Sequence, residues 1–383
     1  MAGSGTWWVS PEQLDDDQKN IISAKIDQNH LILGPPGSGK TNLLLLRASY
    51  LQRAGFPNIL ILVFTRALQE FMMLGADNYS FSPDKIQTSH FMLQKLLLQH
   101  DIRLSLDDNF EQSRLQLVNT AKTLIEKKKL HDLYEVILLD ETQDYLPDEV
   151  RLFKQISRRI FSVGDIRQKI YNGDDALSIV KDMVDETHIL KFHYRNGLNI
   201  CKLADGIVKD LNDFTPLSET SNYNESLNPS TVEVIRCDNL KEQFDKILEK
   251  VIIQLKAYPN EFIGIICPRH YELDQLSALI SQSEIAQQSF IIKQGERHQF
   301  KIDKPIIVTT IHASKGLEFR ALHIAGFDYI KRFDKQRNLC YTAITRAKTS
   351  LSIYYTKGLP GFFEQANSNM NRPQNLPKIE DLF

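Results

Sequence analysis

Lys40 and Thr41 close the string Gly34-Pro35-Pro36-Gly37-Ser38-Gly39-Lys40-Thr41, in which two glycines five apart precede a cation and a hydroxyl. Such a string can hold a phosphate chain. Its glycines permit backbone angles that turn successive N–H groups inward, and the start of a following helix adds partial positive charge. In such a loop Lys40 reaches the β- and γ-phosphates of ATP and the Thr41 hydroxyl ligates Mg²⁺. Asp140 and Glu141 form a second constellation. Asp140 is suited to hold the same Mg²⁺, directly or through water, and Glu141 to orient and deprotonate an attacking water. Each motif has a plainer reading, a glycine-rich turn or a solvated strand end, but together they point to Mg²⁺-dependent nucleotide chemistry. Kinases of small molecules share this much.

The elements that must position these groups are legible. Leu31-Ile32-Leu33 reads as a short buried strand before the loop, and the chain from Asn42 has no helix breaker until Gly55. Asn58 to Phe64 and Glu135 to Leu139 are apolar without alternation, as in strands buried on both faces. The second of these delivers Asp140 and Glu141 at its C-terminal end, where open α/β sheets bind ligands. A helix is expected over Lys19 to Asp27, a strand over Ile160 to Val163, and a long loop over Asp213 to Ser230. Beyond that loop the α/β rhythm resumes. Thr231 to Ile235, Phe262 to Cys267, Ile306 to Val308, Leu322 to Ile324 and Leu351 to Tyr355 read as strands. Leu240 to Leu255 carries a helical apolar stripe, and Asp334 to Ala347 reads as a helix. Lys127-Lys128-Lys129 fits a solvated helix face better than a phosphate contact. From Gly361 onward the chain is rich in Asn, Gln and Pro and is expected to be disordered.

At 383 residues, 42% hydrophobic and 25% charged, the chain has room for two domains with cores of their own. The formal net charge of −2 means that any nucleic-acid contact must come from a local basic surface. Cys201, Cys237, Cys267 and Cys340 are widely spaced, which argues against a zinc or iron–sulfur site and for free thiols in a reducing compartment. No basic leader precedes a long apolar run, and no segment approaches about 18 uninterrupted apolar residues. A cytoplasmic location without membrane contact is the expectation.

Taken in order, the motifs resemble those of superfamily 1 helicases of the UvrD/Rep type. Leu14 to Gln18 is similar to the adenine-reading Q motif, Phe64-Thr65-Arg66 to the motif after the phosphate-loop helix, and Thr88 to Phe91 to T-x-H-F. Asp140 to Asp144 resembles D-E-x-Q-D, and Val163-Gly164-Asp165 with Gln168, Ile170 and Tyr171 resembles V-G-D-x-x-Q-x-I-Y. Tyr194-Arg195, Thr310 to Phe319, and Tyr341 to Ala347 are similar to the family's later motifs. The resemblance implies an α/β fold of two RecA-like P-loop domains with parallel sheets and the ATP site between them. Residues 1–190 and 191–358 would be the domains and 359–383 a disordered tail. It also implies that Gln18 and Tyr194 hold adenine, that Glu318 bonds the ribose, and that Gln168 senses the γ-phosphate. Arg195 and Arg346 would approach that phosphate as arginine fingers. Phe64, Thr65, Arg66, Thr88, His90, Thr310, His312 and Ser314 become candidates for nucleic-acid contact. Without the resemblance, Gln18 would read as a surface residue and both histidines as ordinary core or surface residues.

Departures shape the expected function. Arg66-Ala67-Leu68-Gln69 stands where the family has N-K-A-A, and the polar Asn172 to Asp175 replaces an aromatic and an arginine. The stretches that would hold the family's two large insertions are short. The resemblance therefore implies a translocating ATPase on single-stranded DNA, with 3′-to-5′ polarity, RNA open as an alternative strand, and little unwinding by itself. The rival expectation is an ATP- or DNA-sensing regulatory subunit that controls a separate nuclease or other effector, as in short UvrD-like components of bacterial anti-phage defence. The terminal Ile379-Glu380-Asp381-Leu382-Phe383 is a candidate docking tip for such a partner.

Overall fold

The computed structural model describes residues 8–105, 107, 109–171, 174–208, 215–293, 303–330 and 335–370. The Asn172-Gly173 pair, Asp213, Asp334 and the tip at 379–383 lie outside them. In the first half, α1 (Asp16–Ile22) precedes β1 (His30–Leu33), and α2 (Lys40–Arg53) and β2 (Ile59–Val63) follow. Next come α3 (Arg66–Ala76), β3 (Ile86–Thr88), α4 (Ser89–Leu98), α5 (Phe110–Lys128) and β4 (Tyr134–Leu139). The half ends with α6 (Pro147–Gln155), β5 (Ser157–Gly164), α7 (Ala176–Met183) and β6 (Glu186–Ile189). The second half runs α8 (Leu198–Val208), β7 (Thr231–Arg236), α9 (Leu240–Ala257), β8 (Ile263–Cys267), α10 (His270–Ser281) and β9 (Ser289–Ile291). It closes with β10 (Ile306–Thr310), β11 (Phe319–Ile324), α11 (Lys335–Ile344), β12 (Ala347–Tyr355) and α12 (Gly361–Met370).

Two parallel sheets result, ordered β3-β2-β4-β5-β1-β6 and β7-β12-β11-β8-β10-β9. This is the expected pair of RecA-like units. The unbroken apolar runs are explained by burial on both faces. Ile59, Ile61 and Val63 of β2 enter one core, and Leu60 and Leu62 enter the other. In the second sheet Ile266 and Ile307 face one way while Ile263, Ile265 and Val308 face the other. Each such side chain contributes about 1.5–3 kcal/mol of transfer free energy. One apolar cluster runs through both halves, from Leu14 to Ala366.

Several expected boundaries are corrected. The first helix starts at Asp16 and stops at Ile22, because Asp15 caps it with a reciprocal Asp15–Gln18 box. The helix expected to reach Ala347 ends at Ile344, since Ala347 already pairs with Phe319 in the sheet. Gly361 to Met370 is not disordered. It forms a helix because Phe363 is fully buried against Phe327, with ring centroids 4.6 Å apart, and Ala366 packs on Gly206. Lys127 to Lys129 are exposed at the end of α5, and all four cysteines are buried and free. Among the described residues no helix is long and apolar enough to cross a membrane.

Candidate active site

The loop between β1 and α2 turns on two left-handed glycines, Gly37 at φ 77° and Gly39 at φ 84°. A Cβ on Gly37 would lie 2.4 Å from the Arg195 Cβ, so glycine is what lets the second half approach the loop. Tyr194 N–H donates to the Gly37 carbonyl at 3.1 Å across that contact. Lys40 Nζ folds over the loop and donates to the carbonyls of Gly34 and Pro35, each at 2.9 Å. Burial lowers its pKa to about 8 against the pull of Asp165 and Glu141. Ser38 is buried and donates to the Pro35 carbonyl, and Pro36 lines the cleft.

Asp140 and Glu141 sit where β4 ends. Thr41 Oγ1 donates to Asp140 Oδ2 at 2.9 Å. Glu141 adopts φ 50°, a strained value for a non-glycine residue, and accepts from Gln143 Nε2 at 2.5 Å. The Gln143 side-chain Oε1 in turn accepts from Asp165 N–H at 3.0 Å. The two acids are driven apart electrostatically. Burial, then the neighbouring Glu141, pushes Asp140 up to about 7. Burial also acts on Glu141, but Lys315, Arg346 and Lys40 outweigh it and hold this carboxylate below its ordinary range. Opposed shifts in a pair of neighbouring carboxylates suit the two groups to different chemical tasks.

The second half supplies the cations. Arg346 is buried, donates from Nη2 to Gln168 Oε1 at 2.7 Å, and is fixed by the carbonyls of Thr342 and Leu317 at 3.2 and 3.3 Å. Arg195 pairs with Glu318, and burial, then Arg346, lowers its pKa well below the usual value. Lys348 stands 3.8 Å from the same Glu318 carboxylate. Lys40, Thr41, Asp140, Glu141, Gln168, Arg195, Glu318 and Arg346 thus line one cleft. Gln18 is buried beside it, its amide donating to the Ser38 carbonyl at 3.1 Å, which overturns the surface reading of that residue. Tyr194 is 41% exposed, with its hydroxyl 2.5 Å from Asp15 Oδ2.

Two participants escaped sequence reasoning. Lys315 is buried and pairs with Asp144, donates to the Gln168 carbonyl at 2.6 Å and stands 3.6 Å from Glu141. Its place inside the Ser314-Lys315-Gly316 motif was the available signal. Trp8 lines the cleft and stacks on Phe71 at 4.8 Å, and an aromatic in a polar leader was the only hint.

The nucleic-acid candidates divide. Phe64 is half-buried 4.5 Å from Tyr171 and under the Arg114 guanidinium at 4.8 Å, while Phe110 and His312 lie 6.1 and 5.8 Å from Tyr171. An aromatic cluster therefore bridges the two halves. Thr65 and Thr88 cap the starts of α3 and α4, Arg66 is exposed and His90 is half-buried. Thr310 ends β10 and Ser314 lies in the turn that follows it. Both are buried, and their hydroxyls bond the Ala313 N–H at 3.3 Å and the Ile311 carbonyl at 2.8 Å.

Comparison with known proteins adds two family matches, an AAA domain over residues 18–174 and a UvrD-like helicase C-terminal domain over residues 305–354. The chain is similar to the "Probable DNA helicase II homolog" of Rickettsia felis, at 23% identity over 71% of this chain and 35% of that protein. It is similar to the "ATP-dependent DNA helicase Rep" of Buchnera aphidicola subsp. Baizongia pistaciae, at 26% identity over 39% of this chain and 25% of that one. A homolog of DNA helicase II in Mycoplasma capricolum matches at 30% identity over 31% of this chain and 16% of its own. These alignments span about a third or less of each relative's length.

Proposed function

The chain belongs to the UvrD/Rep-like superfamily 1 helicases, and from that premise we propose that it is an ATPase stimulated by single-stranded nucleic acid which moves along DNA in the 3′-to-5′ direction. The observation that carries this reading is the cleft itself, where Lys40, Thr41, Asp140 and Glu141 face Arg195 and Arg346 from the other half. Residues 1–190 and 191–358 would act as two units that close on ATP and reopen after hydrolysis.

Thr41 and Asp140 fit Mg²⁺, since both offer oxygen ligands and are already 2.9 Å apart. When bound, the ion would neutralise charge on the β- and γ-phosphates. Lys40 exchanges its loop carbonyls for phosphate oxygens. Glu141, charged and oriented by Gln143, aligns the attacking water and accepts its proton. Arg195 and Arg346 meet the charge that develops on the γ-phosphoryl group, and Gln168, bonded to Arg346, reports that charge toward Tyr171 and the aromatic cluster. Tyr194 and Gln18 frame the adenine. The strand lies over Phe64, Thr65, Arg66, Thr88, His90 and His312, held by backbone contacts and base stacking.

Steady-state ATP hydrolysis with and without single-stranded DNA tests the reading, and hydrolysis that DNA leaves unchanged would defeat it. Translocation needs only the two closing units, whereas strand separation must offset a mean of about 1.4 kcal/mol per duplex step. The short segments between Phe91 and β4, and between Cys267 and Thr309, offer little surface to trap opened pairs. Unwinding of long duplexes by the chain alone would contradict this. A second reading, regulation of a nuclease or other effector in anti-phage defence, is favoured by the apolar Ile189 and Phe192, 66% and 44% exposed, in the segment that leads to Tyr194. ATP-dependent capture of such an effector without DNA-stimulated turnover would select it.

A further inference from the structure

At the opposite end of β1 from the phosphate loop, His30, Glu186 and His188 bring three ligating atoms together. Residues 30 and 186 are register partners at the starts of the parallel strands β1 and β6, and His188 follows on the same face. His30 Nδ1 lies 3.2 Å from His188 Nε2 and 3.9 Å from Glu186 Oε2, and His188 Nε2 lies 3.6 Å from that oxygen. Bonds of about 2.0–2.1 Å to a tetrahedral ion place neighbouring ligand atoms roughly 3.4 Å apart. The three separations bracket that value. We propose that His30 Nδ1, His188 Nε2 and the Glu186 carboxylate form a site for one divalent transition metal of the zinc class.

Several features prepare the site. His30 Nε2 stands 2.8 Å from the Lys25 carbonyl, and donation there fixes the tautomer that leaves Nδ1 as a bare lone pair facing its partners. The same carbonyl accepts from Arg47 Nη2 at 3.0 Å, so it is itself held in place. Without metal, His188 Nε2–H donates to His30 Nδ1. On binding, that proton moves to His188 Nδ1, the other neutral tautomer, and no net proton release is required. Lys25 Nζ engages the other oxygen of Glu186, Oε1, at 3.9 Å, leaving Oε2 for the ion. The His30 side chain is 1% exposed, His188 25% and Glu186 40%, which gives an anchored inner ligand and an open outer side for entry and for a water as fourth ligand. Two imidazoles and one carboxylate select zinc, cobalt or nickel over magnesium.

The consequence is a cross-link between β1 and the edge strand β6. Asn29 already ties these strands through Asp185 Oδ2, by its N–H at 2.7 Å and its amide at 2.9 Å. Beyond β6 the chain passes Leu190, which packs on Gly34, and reaches Tyr194 and Arg195. The metal would therefore stiffen the strand that delivers these two residues to the nucleotide cleft.

Titration of the purified full chain with Co²⁺ in excess Mg²⁺ tests the site. The expected result is one equivalent bound with visible d–d bands and no thiolate charge-transfer band, displacement by Zn²⁺, and a raised thermal midpoint with Zn²⁺. Glu186→Gln and His188→Ala should each weaken Co²⁺ binding by at least about tenfold. Glu186 is partly exposed, so its variant keeps the test valid if His188→Ala fails to fold. Absence of stoichiometric binding, or a Co²⁺ spectrum that Glu186→Gln and His188→Ala both leave unchanged, would overturn the proposal.

Discussion

Arg346 and Gln168, 178 residues apart in the chain, share a 2.7 Å hydrogen bond at the centre of the cleft. If Arg346 meets the γ-phosphate as proposed, the bond joins that group to the segment that leads to Tyr171. Removing an arginine finger elsewhere costs about 10³ to 10⁵ in rate. Arg346→Ala should therefore bind a fluorescent ATP analogue as the parent does and release phosphate at least about 10³-fold more slowly. Parental turnover in this variant, or in Glu141→Gln, would remove the assigned roles.

Asp140 gives a pH signature for Mg²⁺. Its pKa in the fold is about 7 against an ordinary 3.8, so ionising it costs stability. That cost begins above the ordinary value and is complete only above about pH 7. A cation that pairs with the carboxylate should accordingly raise the thermal midpoint more at about pH 8 than at about pH 6, where a proton must first be displaced. Asp140→Asn should abolish the difference. Equal Mg²⁺ shifts at both pH values in the parent would count against Asp140 as a ligand.

Trp8 offers an optical reporter. Because it lines the cleft and stacks on Phe71, nucleotide should change its emission. Trp8→Phe should lose the change while retaining ATP binding by calorimetry. A change that survives in this variant would place the responding indole elsewhere.

The aromatic cluster predicts how single strands are held. Affinity should fall with salt at roughly −0.7 per phosphate neutralised, while Phe64→Ala should weaken binding by about 1–3 kcal/mol without altering that slope. A salt-insensitive affinity would rule out backbone contact as the main term.

Phe363 tests the terminal helix. Truncating a fully buried phenylalanine costs about 3–5 kcal/mol, so Phe363→Ala should lower the unfolding free energy measured in urea by that amount. A neutral outcome would mean that α12 does not dock.

What could be read in the sequence follows from how local each signal is. The phosphate loop, β2 and β4 were legible because glycine spacing and unbroken apolar runs act over a few residues. The helix Gly361–Met370 was not, since its Asn, Gln and Ser content argues for disorder and it is held down by residues distant in the chain, among them Phe327, Gly206 and Arg337. Thr310 and Ser314 read as candidates for a nucleic-acid backbone, and only the fold adds that their hydroxyls also bond within the turn after β10. Lys315 was visible as a motif residue, but its partners Asp144 and Gln168 are 171 and 147 residues away and only folding brings them near.

The Lys315 ammonium is enclosed by Asp144, the Gln168 carbonyl and, slightly farther off, Glu141. A small separation of the halves would leave it facing carboxylates with neither contact nor water, and an unpaired buried charge costs about 3–5 kcal/mol. Partway positions are thus the least favourable, while full closure restores the pair and full opening hydrates both ends. In the proposed cycle of closing and reopening, the Lys315 contacts would make the cleft a detent with two rest positions, with nucleotide selecting between them instead of stretching a spring.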